Sequence, residues 1–133
     1  MSRFVVLVCG GREFANRSLV DATLDKVLAK YGDDLMIVTG AQRKLVDGKY
    51  VGADYLAEEW AKSREVPYMG YPARWSKLAR SAGPERNRRM RDEAKPDACI
   101  AFEGGTGTAG MCKLMQEIGV TPWKIEAENV NDD

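Results

Sequence analysis

The sequence contains no histidine. That removes histidine general bases, histidine-centred triads and the commonest zinc ligand set. Any catalysis would have to use carboxylates, arginine, hydroxyls, backbone amides or bound water. The three cysteines, Cys9, Cys99 and Cys112, lie at no metal-like spacing and read as buried reduced thiols. No metal and no cofactor are expected. An apolar run of the roughly 18 residues that a membrane span needs is also missing, so no membrane partner is expected. The opening run Phe4 to Cys9 is too short for a signal-peptide core and ends in Gly10-Gly11, with no small-residue cleavage site. A cytoplasmic location is the expectation that follows. Charge of one sign is missing too: 20 basic residues face 20 acidic ones. That balance argues against a protein that coats nucleic acid non-specifically.

What is present fits one compact domain. The 133 residues suffice for a single core, assigned to residues 1–126, with 127–133 as an acidic C-terminal tail. Charge is spread unevenly. From Arg74 to Arg91 the basic residues are Arg74, Lys77, Arg80, Arg86, Arg88, Arg89 and Arg91, against Glu85 alone. Such a segment inside a neutral chain suggests a localised anionic ligand.

Apolar runs alternate with helical stripes. Strands are expected near residues 4–9, 35–39, 67–71, 98–102 and 122–126. Phe4 to Cys9 is continuous and β-branched, as in a strand buried on both faces of a parallel sheet. Val20, Leu24, Val27, Leu28 and Tyr31 repeat at helical spacing after a Ser18 cap with Asp21 three residues on, and Gly32 supplies the stop. Residues 42–50 are polar and read as an inserted loop, a candidate lid. Ala53, Leu56, Ala57, Trp60 and Ala61 form a second helical stripe. Pro84 opens a helix running towards Ala94, and Met111, Leu114, Met115 and Ile118 mark the last one. The pattern is α/β: a Rossmann-like three-layer sandwich with a mostly parallel five-stranded sheet.

Three glycine-rich loops would then share the carboxyl edge of that sheet: Gly10-Gly11-Arg12, Gly40-Ala41, and Gly104-Gly105-Thr106-Gly107-Thr108. In a strand order 3-2-1-4-5 the first and last of these flank the point where the order reverses, where open α/β sheets bind ligands. Glycines let backbone amides approach an anion, and the turn at 104–108 opens a helix whose N-terminus attracts phosphate. Thr106 and Thr108 add hydroxyl donors. Neither the P-loop nor the G-x-G-x-x-G fingerprint is present. Arg12 and Arg86 are candidate anion clamps, with Asn87 beside Arg86. Asp54 reads as a helix cap or as an acceptor for a ribose hydroxyl or a backbone amide. Arg88, Arg89 and Arg91 read as solvated or interface residues.

Four segments taken together carry a resemblance. Val8-Cys9-Gly10-Gly11-Arg12-Glu13-Phe14 is the first, and Gly40-Ala41 with Gly52-Ala53-Asp54-Tyr55-Leu56-Ala57 the second. Ala82-Gly83-Pro84-Glu85-Arg86-Asn87-Arg88-Arg89-Met90 is the third, and Pro96-Asp97-Ala98 through Thr108 the fourth. In this order they resemble the YspA/YpsA-related branch of the SLOG superfamily, which is named for Smf/DprA and the lonely-guy proteins. The resemblance implies a Rossmann-like fold in a bacterial or phage protein and a nucleotide-derived ligand such as ADP-ribose, an NAD-like molecule or a nucleoside monophosphate. It also implies a homodimer or larger homo-oligomer, for which Trp60, Met111 and Met115 could supply an apolar patch. Lonely-guy phosphoribohydrolases carry P-G-G-x-G-T-x-x-E; here Glu103 replaces the proline and Met111 stands at the position of the catalytic glutamate. The leading expectation is a sensor or sequestering domain. An N-glycosidic hydrolase or transferase is the alternative, with Arg86 holding phosphate and Glu103 or Asp54 as its carboxylate. Single-stranded nucleic-acid binding through residues 74–91 is a third reading, with few aromatics to support it.

Overall fold

The computed structural model describes residues 3–126. The expected tail, 127–133, lies outside them. A run of β-branched and apolar residues makes β1, Phe4–Cys9, and Leu35–Thr39 makes β2. Between them lies helix α1, Arg17–Tyr31, which closes at Gly32 with φ 54°. The next strands are β3, Lys44–Val46, and β4, Lys49–Val51, followed by α2, Ala53–Ser63, and β5, Tyr68–Gly70. Short α3, Trp75–Leu78, leads into α4, Ala82–Arg89, which continues as one wider turn to Ala94. The chain ends in β6, Ala98–Ala101, then α5, Thr106–Glu117, and β7, Pro122–Lys124.

Five strands form one all-parallel sheet in the order β5-β2-β1-β6-β7. This is the expected order 3-2-1-4-5, and the order reverses between β1 and β6. Alternation along the strands explains the layers. Val6 and Val8 face a core completed by Leu24 of α1 and Leu56 and Trp60 of α2. Leu7 and Cys9 face a second core with Met90, Met111, Cys112 and Met115. Helices α1 and α2 therefore cover one face, and α4 and α5 the other. No helix of the described residues is long and apolar enough to cross a membrane.

Three expectations need correction. Residues 42–50 are not a plain loop, because β3 and β4 pair antiparallel as a hairpin. Asp47 and Gly48 both have positive φ, at 50° and 79°, as a two-residue turn of this kind requires, and Asp-Gly is its favoured sequence. The cap of α1 is Asn16, whose side chain accepts from the Leu19 amide at 3.1 Å. Ser18 lies inside the helix, and Asp21 keeps a buried side-chain oxygen with no hydrogen-bond partner among the described residues. Trp60, Met111 and Met115 are 1%, 1% and 0% exposed, so they build the core and offer no surface patch. All three cysteines are buried free thiols, as expected. Hydrogen bonding to Cys112 and Cys99, and then burial, pushes the Cys9 thiol up.

Asn16→Ala should lower stability by about 1 kcal/mol, the usual worth of a helix cap. Ser18→Ala should change it by less than about 0.5 kcal/mol. Denaturant unfolding of the two variants ranks them, and the reverse order would contradict the cap assignment.

Candidate functional site

The strands β1 and β6 end side by side, and the chain leaves them towards opposite faces. The two loops are tied together before they part. The Phe102 amide donates to the Cys9 carbonyl at 2.9 Å, and the Gly11 amide to the Glu103 carbonyl at 2.8 Å. The Gly11 carbonyl in turn accepts from Ala53 at 3.0 Å, at the start of α2. Side chains have no room here. A Cβ on Gly10 would lie 2.5 Å from that of Ala53, and one on Gly104 would lie 2.6 Å from the Gly11 nitrogen. Gly10, Gly11 and Gly104 are thus needed for loop-to-loop contact. The Gly11 amide, expected to face a ligand, is already occupied.

Gly105 and Gly107 differ. A Cβ on either would meet nothing within 4 Å. Gly105 caps α5, and no acidic residue sits in its first turn. The first amides of a helix have no partner within it, so Thr106, Gly107 and Thr108 present donors and the positive end of the helix dipole.

A second cluster forms at the end of β2. Arg86 is buried, and its Nη1 donates to the Gly40 carbonyl and, at 3.4 Å, to that of Tyr71. Its Nε donates to Asn87 Oδ1 at 2.8 Å. A Cβ on Gly40 would lie 2.6 Å from Arg86 Nη1 and 3.1 Å from Asp54 Oδ2. Asp54 is buried and accepts the Gln42 amide at 3.1 Å, so it acts as a backbone acceptor. Through Nη1, Arg86 joins α4 to the ends of β2 and β5, where the sequence suggested a phosphate clamp or catalytic group. Burial pushes the Asp54 carboxyl up to about 7, against the opposing pull of the Gln42 amide and the Arg86 guanidinium. Burial likewise lowers the Arg86 pKa.

Between these clusters and α5 lies a cavity of about 720 Å³. Of the residues expected at the site, Gly10, Gly11, Arg12, Gly40, Asp54, Arg86, Asn87, Gly105, Thr106, Gly107 and Thr108 all line it. Glu103 and Gly104 do not. They line a separate cleft of about 640 Å³ on the other side of the α5 N-terminus. Glu103 is therefore not positioned as the carboxylate of this cavity, and Met111 stands in its wall as an apolar residue. Cys9 also lines this cavity.

The cations divide unexpectedly. Arg89 pairs with Glu85 at 3.0 Å, and Arg91 with Asp92 at 2.7 Å and Glu117 at 3.6 Å. Arg12, Arg80 and Arg88 are exposed, line the cavity, and form no ion pair among the described residues. Sequence reasoning grouped Arg88 with the solvated residues and did not select Arg80, Trp75 or Gln42. A helical signal for Arg88 did exist: it lies one turn beyond Pro84, on the same face of α4, and both line the cavity.

A doubly wound parallel sheet with a cavity at its switch point defines a Rossmann-like α/β domain. The chain belongs to the YspA, cpYpsA-related SLOG family, whose model matches residues 4–78. In general terms that membership indicates nucleotide-related binding or modification. The third and fourth resembling segments lie beyond the matched region. Among solved structures, a UDP-N-acetylglucosamine 2-epimerase is similar over 96% of this chain, with a TM-score of 0.55 and 16% identity. The chain spans about a third of that protein, 34% of its length, and the likeness supports the α/β fold. No curated protein matches the chain.

The raised Asp54 pKa has a testable sign. In the unfolded chain the carboxyl titrates near 4; in the folded protein it holds its proton up to about 7. Between about pH 4 and 7 the folded state binds the extra proton, so this group makes stability fall as pH rises, by up to about 1.4 kcal/mol per pH unit. Above about pH 7 the contribution flattens. Asp54→Asn should remove this slope, read from denaturant midpoints of both proteins across that range. A wild-type profile with the same slope as the variant would show that Asp54 is ionised throughout.

Proposed function

We propose that this domain binds a nucleotide-derived, phosphate-bearing small molecule, as a sensor or sequestering protein. One observation carries the reading: the open N-terminus of α5 and three unpaired arginines, Arg12, Arg80 and Arg88, border one cavity. Its volume falls in the ~300–1,000 Å³ range of small-molecule sites. Free helix amides and guanidinium forks are complementary to phosphate oxygens. ADP-ribose, NAD-like molecules and nucleoside monophosphates are the candidate ligands.

Cleavage of an N-glycosidic bond has less support. Such chemistry needs a carboxylate at the sugar to stabilise oxocarbenium-like charge or activate water. Met111 is apolar, Glu103 lines the other cleft, and Asp54 is committed to the Gln42 amide. Nucleic-acid binding loses support as well, since Arg86, Arg89 and Arg91 of the basic segment are engaged within the domain.

Thermal shift and calorimetry with AMP, NAD and ADP-ribose test the reading, with released base assayed in parallel. Arg88→Ala should weaken binding of AMP about tenfold or more, the loss of a charge-assisted hydrogen bond worth ~1.5–3 kcal/mol. Arg91→Ala should change it less than about twofold, because its guanidinium already faces Asp92 and Glu117. Arg86→Ala should instead lower the unfolding midpoint, since it leaves the Gly40 carbonyl and Asp54 without their buried cation. Equal losses of affinity from Arg88→Ala and Arg91→Ala would move the ligand out of the cavity and onto the outer face of α4.

A further inference from the structure

Large apolar side chains left in solvent are uncommon enough to ask what covers them. Trp60 is buried at 1% exposure; Trp123, on the edge strand β7, is 48% exposed and lines neither cavity, whereas Trp75 is 53% exposed and lines the cavity at the carboxyl edge of the sheet. It is the first residue of α3, on the segment that crosses from β5 to α4. Its indole reaches over the start of α4, where Gly83 leaves space: a Cβ there would lie 3.7 Å from Trp75 Cη2. The ring contacts of the described residues pair Phe4 with Tyr31, Phe14 with Phe102, and Tyr50 with Tyr55. Cations lie over Tyr31, Tyr50, Trp60 and Tyr71. Among these residues no ring and no cation stacks on Trp75, which stays exposed and lines the cavity. The same cavity carries Arg80 and Arg88, and among the described residues its only carboxylate is the buried Asp54.

An exposed aromatic ring beside unpaired guanidinium groups and a helix N-terminus fits a ligand that is flat at one end and anionic at the other. We propose that Trp75 is the stacking platform for the base of a nucleotide, with its phosphate at the α5 N-terminus and Arg88. This assignment rests on the proposed function and adds to it a base requirement and the residue that imposes it. Stacking on an aromatic side chain depends on the ring face and not on hydrogen bonds, so Trp75 would select for a base without selecting sharply among bases.

The test compares AMP with ribose 5-phosphate, which has the phosphate and sugar but no base. Calorimetry is run on the wild type, Trp75→Ala and Trp75→Phe, with thermal midpoints measured alongside. Trp75→Ala should weaken AMP about tenfold or more and leave ribose 5-phosphate unchanged. Trp75→Phe should retain most of the AMP affinity. AMP should quench tryptophan fluorescence in the wild type, and the quench should vanish in Trp75→Phe. Unchanged AMP affinity in Trp75→Ala would overturn the platform and leave the phosphate site standing. So would equal losses for both ligands, which would mark a structural role. Should the alanine variant melt far below the wild type, the phenylalanine variant and its fluorescence decide the matter. A wild type that binds neither compound would overturn the platform as stated, and the proposed function with it if NAD and ADP-ribose also fail to bind.

Discussion

The Gly11 amide and the Glu103 carbonyl meet at 2.8 Å, where two neighbouring parallel strands stop and their chains turn to opposite faces of the sheet. That short bond can form only if neither loop carries side chains at the contact, which is why Gly10, Gly11 and Gly104 stand there. The consequence is geometric. With the loops pinned at their bases, the first turn of α5 is held beside the end of β1, and Arg12 is carried to the rim of the cavity. The helix dipole then points at a space that the sheet itself keeps open.

A second constraint closes the opposite wall. Burying a guanidinium and a carboxylate is costly unless each finds hydrogen-bond partners. Arg86 meets that cost with backbone carbonyls from the ends of β2 and β5, and Asp54 with the Gln42 amide. Gly40 lies between them, and its missing side chain is what lets the two groups come close. These hydrogen bonds make Arg86 and Asp54 part of the frame of the cavity that they also line. Arg12, Arg80 and Arg88, which also line the cavity, are instead exposed and form no ion pair among the described residues. Met111, at the position where lonely-guy enzymes carry their glutamate, stands in the wall of the same cavity.

Much of the fold was legible because its signals are local. Phe4 to Cys9 had to be buried on both faces, and Ala53 to Ala61 had to present one apolar stripe; both expectations hold to within a residue. The hairpin at 44–51 was equally local, since Asp47-Gly48 announces its turn, but the polar character of the flanking residues hid it. The cap at Asn16 was missed for a related reason: Ser18 satisfied the same pattern two residues later, and only the direction of the chain leaving β1 selects between them. Trp60, Met111 and Met115 show the limit of composition as a guide to assembly, because an apolar side chain on a helix reads the same whether a sheet or a second subunit covers it.

The sequence by itself determined the alternation of strands and helices, and it determined the glycine loops at the carboxyl edge. Both are properties of short segments, governed by periodicity and by the missing Cβ. What only the tertiary structure decided is the use of each charge. Arg86 and Arg88 are two residues apart, about 200° around the same helix. No local rule says which of them turns inwards. Packing of α4 against the ends of β2 and β5 settled that, burying Arg86 beside Gly40 and Asp54 and leaving Arg88 exposed at the cavity. The same holds for Glu103. Its place in a glycine-rich motif pointed to the site, but its carbonyl is tied to Gly11 and it lies on the far side of the α5 N-terminus. A side chain's role in a cavity depends on which side of a strand end the chain turns, and that is fixed by contacts from residues distant in the sequence.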